Sequence, residues 1–172
     1  MSESRTLKDI IQRRRSVYPK DYSQEKVEES VIEEILRSAE YAPNHKKTQP
    51  WRIKVFRDEK KEQLGQKIGA IYRENTSDED FLQKKQDDLM AKVEMADTVL
   101  AICVNFSGKV PEWEEIAATA MSVQNMYLTC TAHGIGSYWG TPGFKDQMDD
   151  FLELEENQKC LGFFYLGKIQ GH

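Results

Sequence analysis

Apolar residues recur every three to four positions over much of the chain, which is the spacing of amphipathic helices. One such stripe predicts a helix over Glu28–Tyr41, and a second predicts a helix over Asp58–Glu74. Ser77, with Asp80 three residues later, is typical of a helix start and predicts a further helix that runs to about Met95. Helices therefore dominate the predicted structure.

Four shorter segments have the pattern of strands. Trp51–Arg57 alternates apolar and basic residues, which predicts a strand near a sheet edge with one face in water. Thr98–Asn105 is continuously apolar and β-branched, which predicts a central strand covered on both faces. Residues 136–141 and 160–169 predict the last two strands, with a helix around Lys145–Leu154 between them. Helices packed around a small sheet predict an α+β fold.

One long helix is predicted to form the centre of the fold. Pro111 suits its first turn, the helix covers Glu112–His133, and Gly134 ends it. Its apolar residues occupy most of the circumference, so we expect burial on several sides. Because one small sheet cannot cover so much apolar surface, we also expect a partner subunit. These apolar residues are Ile116, Ala117, Ala120, Met121, Val123, Met126, Tyr127, Leu128, Cys130 and Ala132.

Composition narrows the class of protein. A chain of 172 residues and 20.0 kDa is predicted to form a single domain over residues 1–172. Its net charge of −5 argues against nucleic acid as a partner. No apolar run approaches a membrane span and Met1–Lys8 lacks the core of a signal peptide, so no membrane association and a cytoplasmic location are expected. Cys103, Cys130 and Cys160 are predicted to be buried thiols.

The first concentrated chemistry is a run of three arginines, residues 13–15, followed at once by Ser16. It ends a short predicted helix that Thr6 and Asp9 would cap, with an apolar stripe of Leu7, Ile10 and Ile11. Two interpretations remain open. The arginines can be a solvated basic end that favours the helix dipole, or their guanidinium groups and the serine hydroxyl can bind a phosphomonoester.

Two later stretches also carry polar or flexible groups. Residues 41–51, YAPNHKKTQPW, are either a plain polar connection or a loop that presents hydrogen-bond donors to a polar ring edge. Residues 134–143, GIGSYWGTPG, are either a glycine-rich turn or a segment whose backbone approaches a flat ligand closely. His45, His133 and His172 show no metal-ligand spacing, which disfavours a metal-dependent hydrolase.

Four motifs in this order resemble the flavin-dependent nitroreductase family, and in particular its small, minimal members. The resemblance covers about residues 8–168. The motifs are Arg-Arg-Ser after the first helix, Ala-Pro-x-x-x-x-x-Gln-Pro-Trp at 42–51, Gly-Ile-Gly-x-x-Trp-Gly-Thr at 134–141 and Leu-Gly-Phe-x-Tyr-Leu-Gly at 161–167. The resemblance implies a homodimer with FMN at the subunit interface and a mostly antiparallel sheet.

The resemblance also assigns residues. Arg14, Arg15 and Ser16 match the group that binds the phosphate and ribityl chain, with Arg13 as an extra arginine. The loop that one subunit lays against the flavin of the other is matched by Pro43, Asn44, His45 and Lys47. The segment under the isoalloxazine ring, where a backbone N–H near N5 is usual, is matched by Trp139, Gly140 and Thr141.

Lys92 lines up with a lysine that faces the pyrimidine edge of the ring in many members, where a fixed cation would raise the reduction potential. The alternative is an exposed residue on a charged helix. Tyr18 stands where the family often has a basic residue, so Lys20 or Arg13 could supply that charge. Lys47 stands where larger members have asparagine, and Lys168 could replace the basic C-terminal contact of those members.

These matches imply an NAD(P)H-dependent FMN oxidoreductase. It would transfer hydride from NADPH or NADH through flavin N5 to a nitroaromatic or quinone-like acceptor by a ping-pong mechanism, with no side chain needed as acid or base. His45 is expected to bond a flavin oxygen rather than to donate a proton. The alternative function is a flavin-binding sensor or carrier without reductase turnover, in which Tyr18 or a tryptophan blocks the nicotinamide site.

Overall fold

The structure, a computed structural model, describes residues 3–171. Five α-helices and four β-strands lie within this range. They are α1 Glu3–Arg13, α2 Glu29–Ala39, β1 Trp51–Phe56, α3 Asp58–Glu74, α4 Gln83–Met95, β2 Thr98–Asn105, α5 Glu112–Ala132, β3 Ile135–Gly140 and β4 Gln158–Lys168. Three 3₁₀ turns complete the described elements: Pro19–Asp21, His45–Lys47 and Gly143–Gln147.

The four strands form one sheet in the order β1-β2-β4-β3, and every neighbouring pair is antiparallel. β1 therefore lies at an edge of the sheet, as its alternating pattern predicts. β2 lies in the interior, as its continuous apolar run predicts. β3 forms the opposite edge, which matters for the site because its outer backbone groups face away from β4. The α+β prediction is confirmed.

Helices cover the sheet on both faces, and the alternation of β2 explains why. Val99, Ala101 and Cys103 point into a core shared with α3 and α4, whereas Leu100 and Ile102 point into a second core shared with α2 and α5. Every residue of β2 before Asn105 is buried. A strand packed on both sides has no water-facing residue, so its sequence reads as one apolar run.

The three cysteines are buried and free, as predicted. Burial in an apolar environment raises the pKa of the Cys130 thiol to about 12, so it remains protonated at neutral pH. Cys103 and Cys160 lie opposite each other on β2 and β4. None of the three is exposed enough to act as a nucleophile.

The predicted start of α4 at Ser77 is wrong by six residues. Ser77 does cap a turn, because its hydroxyl accepts the backbone N–H of Asp80 at 3.2 Å and donates to the Asp80 carboxylate at 2.7 Å. Leu82 then adopts an extended conformation and its N–H donates to the hydroxyl of Tyr72 at 3.2 Å. Residues 77–82 therefore form a turn held by this contact, and α4 begins at Gln83.

The predicted helix over Lys145–Leu154 is also wrong. The chain forms the 3₁₀ turn Gly143–Gln147 and then separate turns, with Glu153 in the left-handed region at φ 49°. Two consecutive aspartates, Asp149 and Asp150, favour turns over helix interior. Met148 and Leu152 are still buried, so the apolar spacing reflects packing rather than a helix.

The first helix does not begin at Thr6, because α1 already includes Glu3 and Thr6 lies in its interior. No residue of α1 is buried, although its apolar stripe forms as predicted. Leu7 is 55% exposed and Ile11 is 51% exposed. Among the described elements α1 lies mainly against α5, and this packing leaves about half of each of these two side chains exposed in the single chain.

Candidate active site

The three arginines at the end of α1 have three different environments. The Nε atom of Arg13 donates to the Asp9 carboxylate at 2.7 Å, one turn earlier in the helix. The Nη1 atom of Arg15 donates to the carbonyl oxygens of Gln12 at 2.7 Å and Arg14 at 2.9 Å, so Arg15 caps the last turn. The capping interpretation therefore describes Arg15, while Arg14 turns elsewhere.

Arg14 is half-buried and lies against the aromatic side chain of Tyr127 on α5. The centre of its guanidinium group is 5.3 Å from the centroid of the Tyr127 ring, within the range of a cation–π contact. The Tyr127 hydroxyl accepts the backbone N–H of Trp139 at 2.7 Å. One buried residue thus joins the predicted phosphate-binding arginine to the predicted ring-binding segment.

The chain after Arg14 is anchored to the sheet beside β3. The Val17 N–H donates to the carbonyl oxygen of Ser137 at 2.9 Å, directly after the exposed Ser16. The Tyr22 hydroxyl donates to the carbonyl oxygens of Val17 at 2.7 Å and Tyr165 at 3.2 Å. Because this hydroxyl is buried, its pKa is raised above its usual range. These contacts fix the arginine–serine segment at the β3 edge.

A cavity of about 220 Å³ brings together three of the residues assigned by resemblance, Lys92, Gly140 and Thr141. Aromatic and apolar side chains form the rest of its lining, in the arrangement typical of small-molecule sites. The remaining lining residues are Leu89, Tyr138, Pro142, Phe144 and Tyr165. Lys92 is exposed and makes no hydrogen bond or ion pair with residues 3–171, so its ammonium group is available at the cavity.

Gly162 on β4 packs closely behind this cavity. Its φ of 143° is unfavourable for other residues, and a Cβ atom there would lie 2.4 Å from the carbonyl oxygen of Gly140. The same Cβ would lie 2.9 Å from Nε1 of Trp139. Within the described chain that indole nitrogen is buried without a hydrogen-bond partner. The segment Trp139–Thr141 therefore depends on a glycine on the neighbouring strand.

Tyr18 lies beside the cavity and contacts Tyr138, one of its lining residues. Its ring centroid is 4.5 Å from that of Tyr138, and Tyr138 is 6.0 Å from Tyr165. Partial burial raises the pKa of the Tyr138 hydroxyl. In place of the basic residue that the family often has, this chain thus has an aromatic ring in tilted contact with a residue of the cavity wall.

The loop with the Asn-His-Lys-Lys sequence is strained. Lys46, Lys47 and Gln49 have φ values of 49°, 53° and 43°, all in the left-handed region that residues other than glycine rarely adopt. Asn44 braces the loop, since its Oδ1 accepts the Gln49 N–H at 2.9 Å and its Nδ2 donates to the Ala42 carbonyl at 3.3 Å. Strain that is held by such contacts is typical of functional loops.

The same loop is fixed to the start of α5. Nδ1 of His45 is 2.7 Å from the Glu114 carboxylate, and Nζ of Lys46 donates to the Lys109 carbonyl at 3.0 Å. Pro43, Asn44 and His45 line an open, mostly apolar groove of about 320 Å³ with Trp113 and Met121 of α5. This groove shares no lining residue with the Lys92 cavity. Lys47 is exposed and makes no contact with either.

The candidate replacements for missing basic contacts differ in availability. Lys168 donates to the Glu28 carboxylate at 2.9 Å, and this hydrogen bond raises the pKa of the Lys168 ammonium. Lys168 is therefore already paired, as Arg13 is with Asp9. Lys20 is exposed and makes no hydrogen bond or ion pair with the described residues, so its charge remains available.

Sequence reasoning missed the two tyrosines that organise this region. In the sequence Tyr127 is one apolar position of the long helix, whereas in the structure its hydroxyl and ring each make a specific polar contact. Tyr138 lies inside the GIGSYWGTPG stretch, and the structure shows that it lines the cavity. A buried tyrosine needs a hydrogen-bond partner, and that need was the available signal for Tyr127.

Comparison with known proteins identifies the family and the fold of this chain. A model of the Nitroreductase family matches residues 11–168. The Bacillus subtilis (strain 168) protein named "Putative NAD(P)H nitroreductase YfhC" is 29% identical over 166 residues, which cover 94% of this chain and 83% of that protein. A nitroreductase-like family protein from Bacillus cereus has a TM-score of 0.83 at 24% identity, over 99% of this chain and 89% of that one.

A second solved structure is the FMN-dependent nitroreductase NfnB from Mycobacterium smegmatis in complex with NADPH. It has a TM-score of 0.75 at 18% identity, over 98% of this chain and 90% of that one. The chain belongs to the nitroreductase family, a family of oxidoreductases. Both the resemblance drawn from the four motifs and the predicted nitroreductase-like fold are confirmed.

Residues 3–171 lack the features of two other classes of site. No group of histidine, cysteine or acidic residues in this range is placed to hold a metal ion. His172 lies outside the described residues. Within the same range, no helix has the length and apolar character needed to cross a membrane.

Proposed function

We propose that the protein is a homodimeric FMN-dependent oxidoreductase that uses NADPH or NADH to reduce a small, flat aromatic acceptor by a ping-pong mechanism. One observation carries this proposal. Lys92, Gly140 and Thr141 line a single cavity, and Arg14 is joined through Tyr127 to the strand that bears Gly140. Arg14, which would bind the phosphate, is thus connected through Tyr127 to the β3 segment that would contact the ring.

The chemistry of the available donors fits FMN. The Arg14 guanidinium makes no hydrogen bond or ion pair with residues 3–171, and the Ser16 hydroxyl is exposed beside it in sequence. A guanidinium group and a hydroxyl match the oxygens of a phosphomonoester. Lys92 offers a further cation at the cavity. Arg15 retains nitrogen donors besides Nη1, so it can contribute without giving up its helix cap.

When bound, FMN would supply the redox chemistry, in which its N5 accepts a hydride from the nicotinamide and passes one to the acceptor. The chain supplies binding, orientation and charge. Lys92 would stabilise negative charge at the pyrimidine edge of the ring, an interaction that strengthens in a site with little water. The Trp139–Thr141 backbone, held by Tyr127 and Gly162, would fix the plane of the ring. No side chain is required to transfer a proton.

The second half of each site would come from a partner subunit. The loop residues Pro43, Asn44 and His45 line a groove on the α5 face, apart from the cavity of their own chain. The same face carries apolar side chains that no described residue covers, with Trp113 68% exposed and Met121 40% exposed. Apolar surface of this kind favours subunit contact. A symmetric dimer would place each loop at its partner's flavin.

The proposed acceptors are nitroaromatics and quinones, because both are flat rings that would bind by stacking on the open face of the flavin. The alternative function, a flavin-binding sensor or carrier, has one observation in its favour. Tyr18 contacts Tyr138 of the cavity wall in a tilted arrangement, where its ring could restrict access of a nicotinamide. Normal FMN binding without reduction by NADPH or NADH would support this alternative.

An anaerobic titration separates these possibilities. The FMN-loaded protein is titrated first with NADPH and then, in a separate sample, with NADH, while the visible absorbance of the flavin is recorded. We expect bleaching by at least one of them, and recovery of absorbance after adding a nitroaromatic or a benzoquinone. A protein that is colourless as purified and does not bind added FMN would contradict the proposal.

A further inference from the structure

Tyr127 occupies an unusual position for a residue of a mostly apolar helix. It lies on α5, it is only 9% exposed, and its ring meets Phe164 of β4 edge to face, with centroids 4.8 Å apart. Trp139 of β3 lies directly opposite Phe164 in the sheet. The tyrosine therefore stands over the β3–β4 pair at the residue that begins the ring-binding segment.

Each polar feature of Tyr127 serves a different part of the site. Its hydroxyl oxygen accepts the Trp139 N–H, which belongs to the outer edge of β3 and has no strand partner there. Removing that oxygen would leave a part-buried backbone donor without a partner, which is costly. The face of the ring meets the Arg14 guanidinium at 5.3 Å. This contact orients the cation without using any of its N–H donors, so they stay free for a ligand.

We propose that Tyr127 is a positioning residue that aligns Arg14 with the Trp139–Thr141 segment, so that one side chain sets the distance between the phosphate site and the ring site. The ring acts on the phosphate through Arg14, and the hydroxyl acts on the isoalloxazine through the Trp139 backbone. This inference rests on the proposed function, because it concerns how the chain holds FMN.

Two variants separate the ring from the hydroxyl. Tyr127→Phe keeps an aromatic face for Arg14 and removes only the acceptor for Trp139. Tyr127→Leu removes both. The probes are FMN and riboflavin, which differ only in the phosphate group, and binding is followed by flavin fluorescence and visible absorbance. The ratio of the two affinities measures the phosphate contact, and the visible spectrum reports the surroundings of the ring.

For Tyr127→Phe we expect weaker binding of both ligands, a shifted visible spectrum, and a preference for FMN over riboflavin that stays within about twofold of wild type, because phenylalanine still offers a ring face. For Tyr127→Leu the preference for FMN should also fall, by about three- to tenfold. In the Arg14→Ala background, Tyr127→Leu should cause no further loss of that preference, because it acts through Arg14.

Tyr72 provides a matched control. Its hydroxyl also accepts a backbone N–H, from Leu82 at 3.2 Å, and Lys85 lies 5.2 Å from its ring centroid. Tyr72 lies on α3, and neither the Lys92 cavity nor the His45 groove includes it. Tyr72→Phe and Tyr72→Leu should leave both flavin affinities and the spectrum unchanged. Circular dichroism and sedimentation confirm that every variant is folded and has the wild-type subunit number.

The outcomes separate the two proposals. If wild type binds neither FMN nor riboflavin, the proposed function fails and this inference fails with it. If wild type prefers FMN but Tyr127→Leu keeps the full preference, only the inference is overturned. Equal losses for FMN and riboflavin in Tyr127→Leu would likewise overturn it, since they would show a structural role alone.

Discussion

Two helices of equal length, α1 and α2, have the same amphipathic pattern but differ in the burial of their apolar stripes. Each has eleven residues and a clear apolar stripe. On α2, Ile32 and Ile35 are 1% and 0% exposed and pack into the core beneath the sheet. On α1, Leu7 and Ile11 are more than half exposed. Amphipathic spacing predicts that a face will be covered, but it does not say by which chain.

The difference indicates where a second subunit would bind. The α1 stripe and the exposed apolar residues of α5 belong to neighbouring helices, and both are uncovered in the single chain. Arg14 directly follows the last residue of α1, Arg13, so the helix that would contact the partner leads into the candidate phosphate ligand. Subunit contact and cofactor binding are therefore expected to depend on each other, whereas α2 contributes only to the core.

The largest expected effect is on assembly. Ile11→Asp places a carboxylate in the uncovered stripe of α1. Because a two-fold dimer contains the residue twice, each copy would lose the apolar burial of its exposed half and would place a charge against apolar surface, so dimerisation should weaken by about 3 kcal/mol or more. Sedimentation velocity should show a monomer, with FMN binding reduced. Lys8→Gln, on the same helix and with the same change in charge, should remain dimeric. Dimeric Ile11→Asp would contradict the role given to α1.

The second effect is on folding. Ile35→Ala, in the buried stripe of α2, should lower the free energy of unfolding by about 2–5 kcal/mol, because the deletion leaves a cavity in the core. Urea unfolding followed by circular dichroism measures this loss, and the subunit number of the folded protein should not change. Glu33→Ala on the exposed face of α2 is the matched control and should be nearly neutral. An equal loss in both variants would show that the stripe does not determine stability.

A third test concerns the arginines where α1 ends. Arg14→Ala should weaken FMN binding by about 1.5–3 kcal/mol, the usual loss for a hydrogen bond to a charged group. Arg13→Ala should have little effect, because Arg13 is paired with Asp9. Equilibrium titration with flavin fluorescence compares the two. Unchanged affinity in Arg14→Ala would mean that the phosphate binds elsewhere, and Lys20 would be the next residue to test.

The smallest effect is a dependence of stability on pH at the start of α2. The hydrogen bond from Lys168 lowers the pKa of the Glu28 carboxyl in the folded protein. Its contribution is complete above the ordinary glutamate pKa and is lost as the pH falls through the lowered value. Glu28→Gln should therefore be less stable than Glu33→Gln at neutral pH, and the difference should disappear as the pH falls through the lowered Glu28 pKa, as measured by urea midpoints. A difference that persists in acid would exclude this ion pair as its cause.

Most of the fold was predictable because the patterns that define it are local. The continuous apolar run of Thr98–Asn105 predicted a central strand, and the basic alternation of Trp51–Arg57 predicted an edge strand, as the sheet order confirms. The errors came from contacts over distance. The Tyr72 hydroxyl interrupts the helix expected from Ser77, and no rule of spacing contains that contact.

The residues of the candidate site were named one by one from the sequence, but the contacts between them were not. The resemblance led to Lys92, Gly140 and Thr141, and the structure places these three around one cavity. Spacing could not distinguish Arg14 from Arg13 and Arg15, since three adjacent residues point in different directions from a helix end. Tyr127 was hidden among apolar neighbours, because a hydroxyl that satisfies one distant backbone N–H leaves no periodic signal.

Close packing at Gly162 restricts which residues the candidate site tolerates on the β4 side. Any side chain at that position would collide with the Gly140 carbonyl from behind, so mutational drift there would distort the site without touching a ligand. Substitutions meant to change which ligands the cavity accepts should therefore be made at Phe144, which lines it, and not at Gly162.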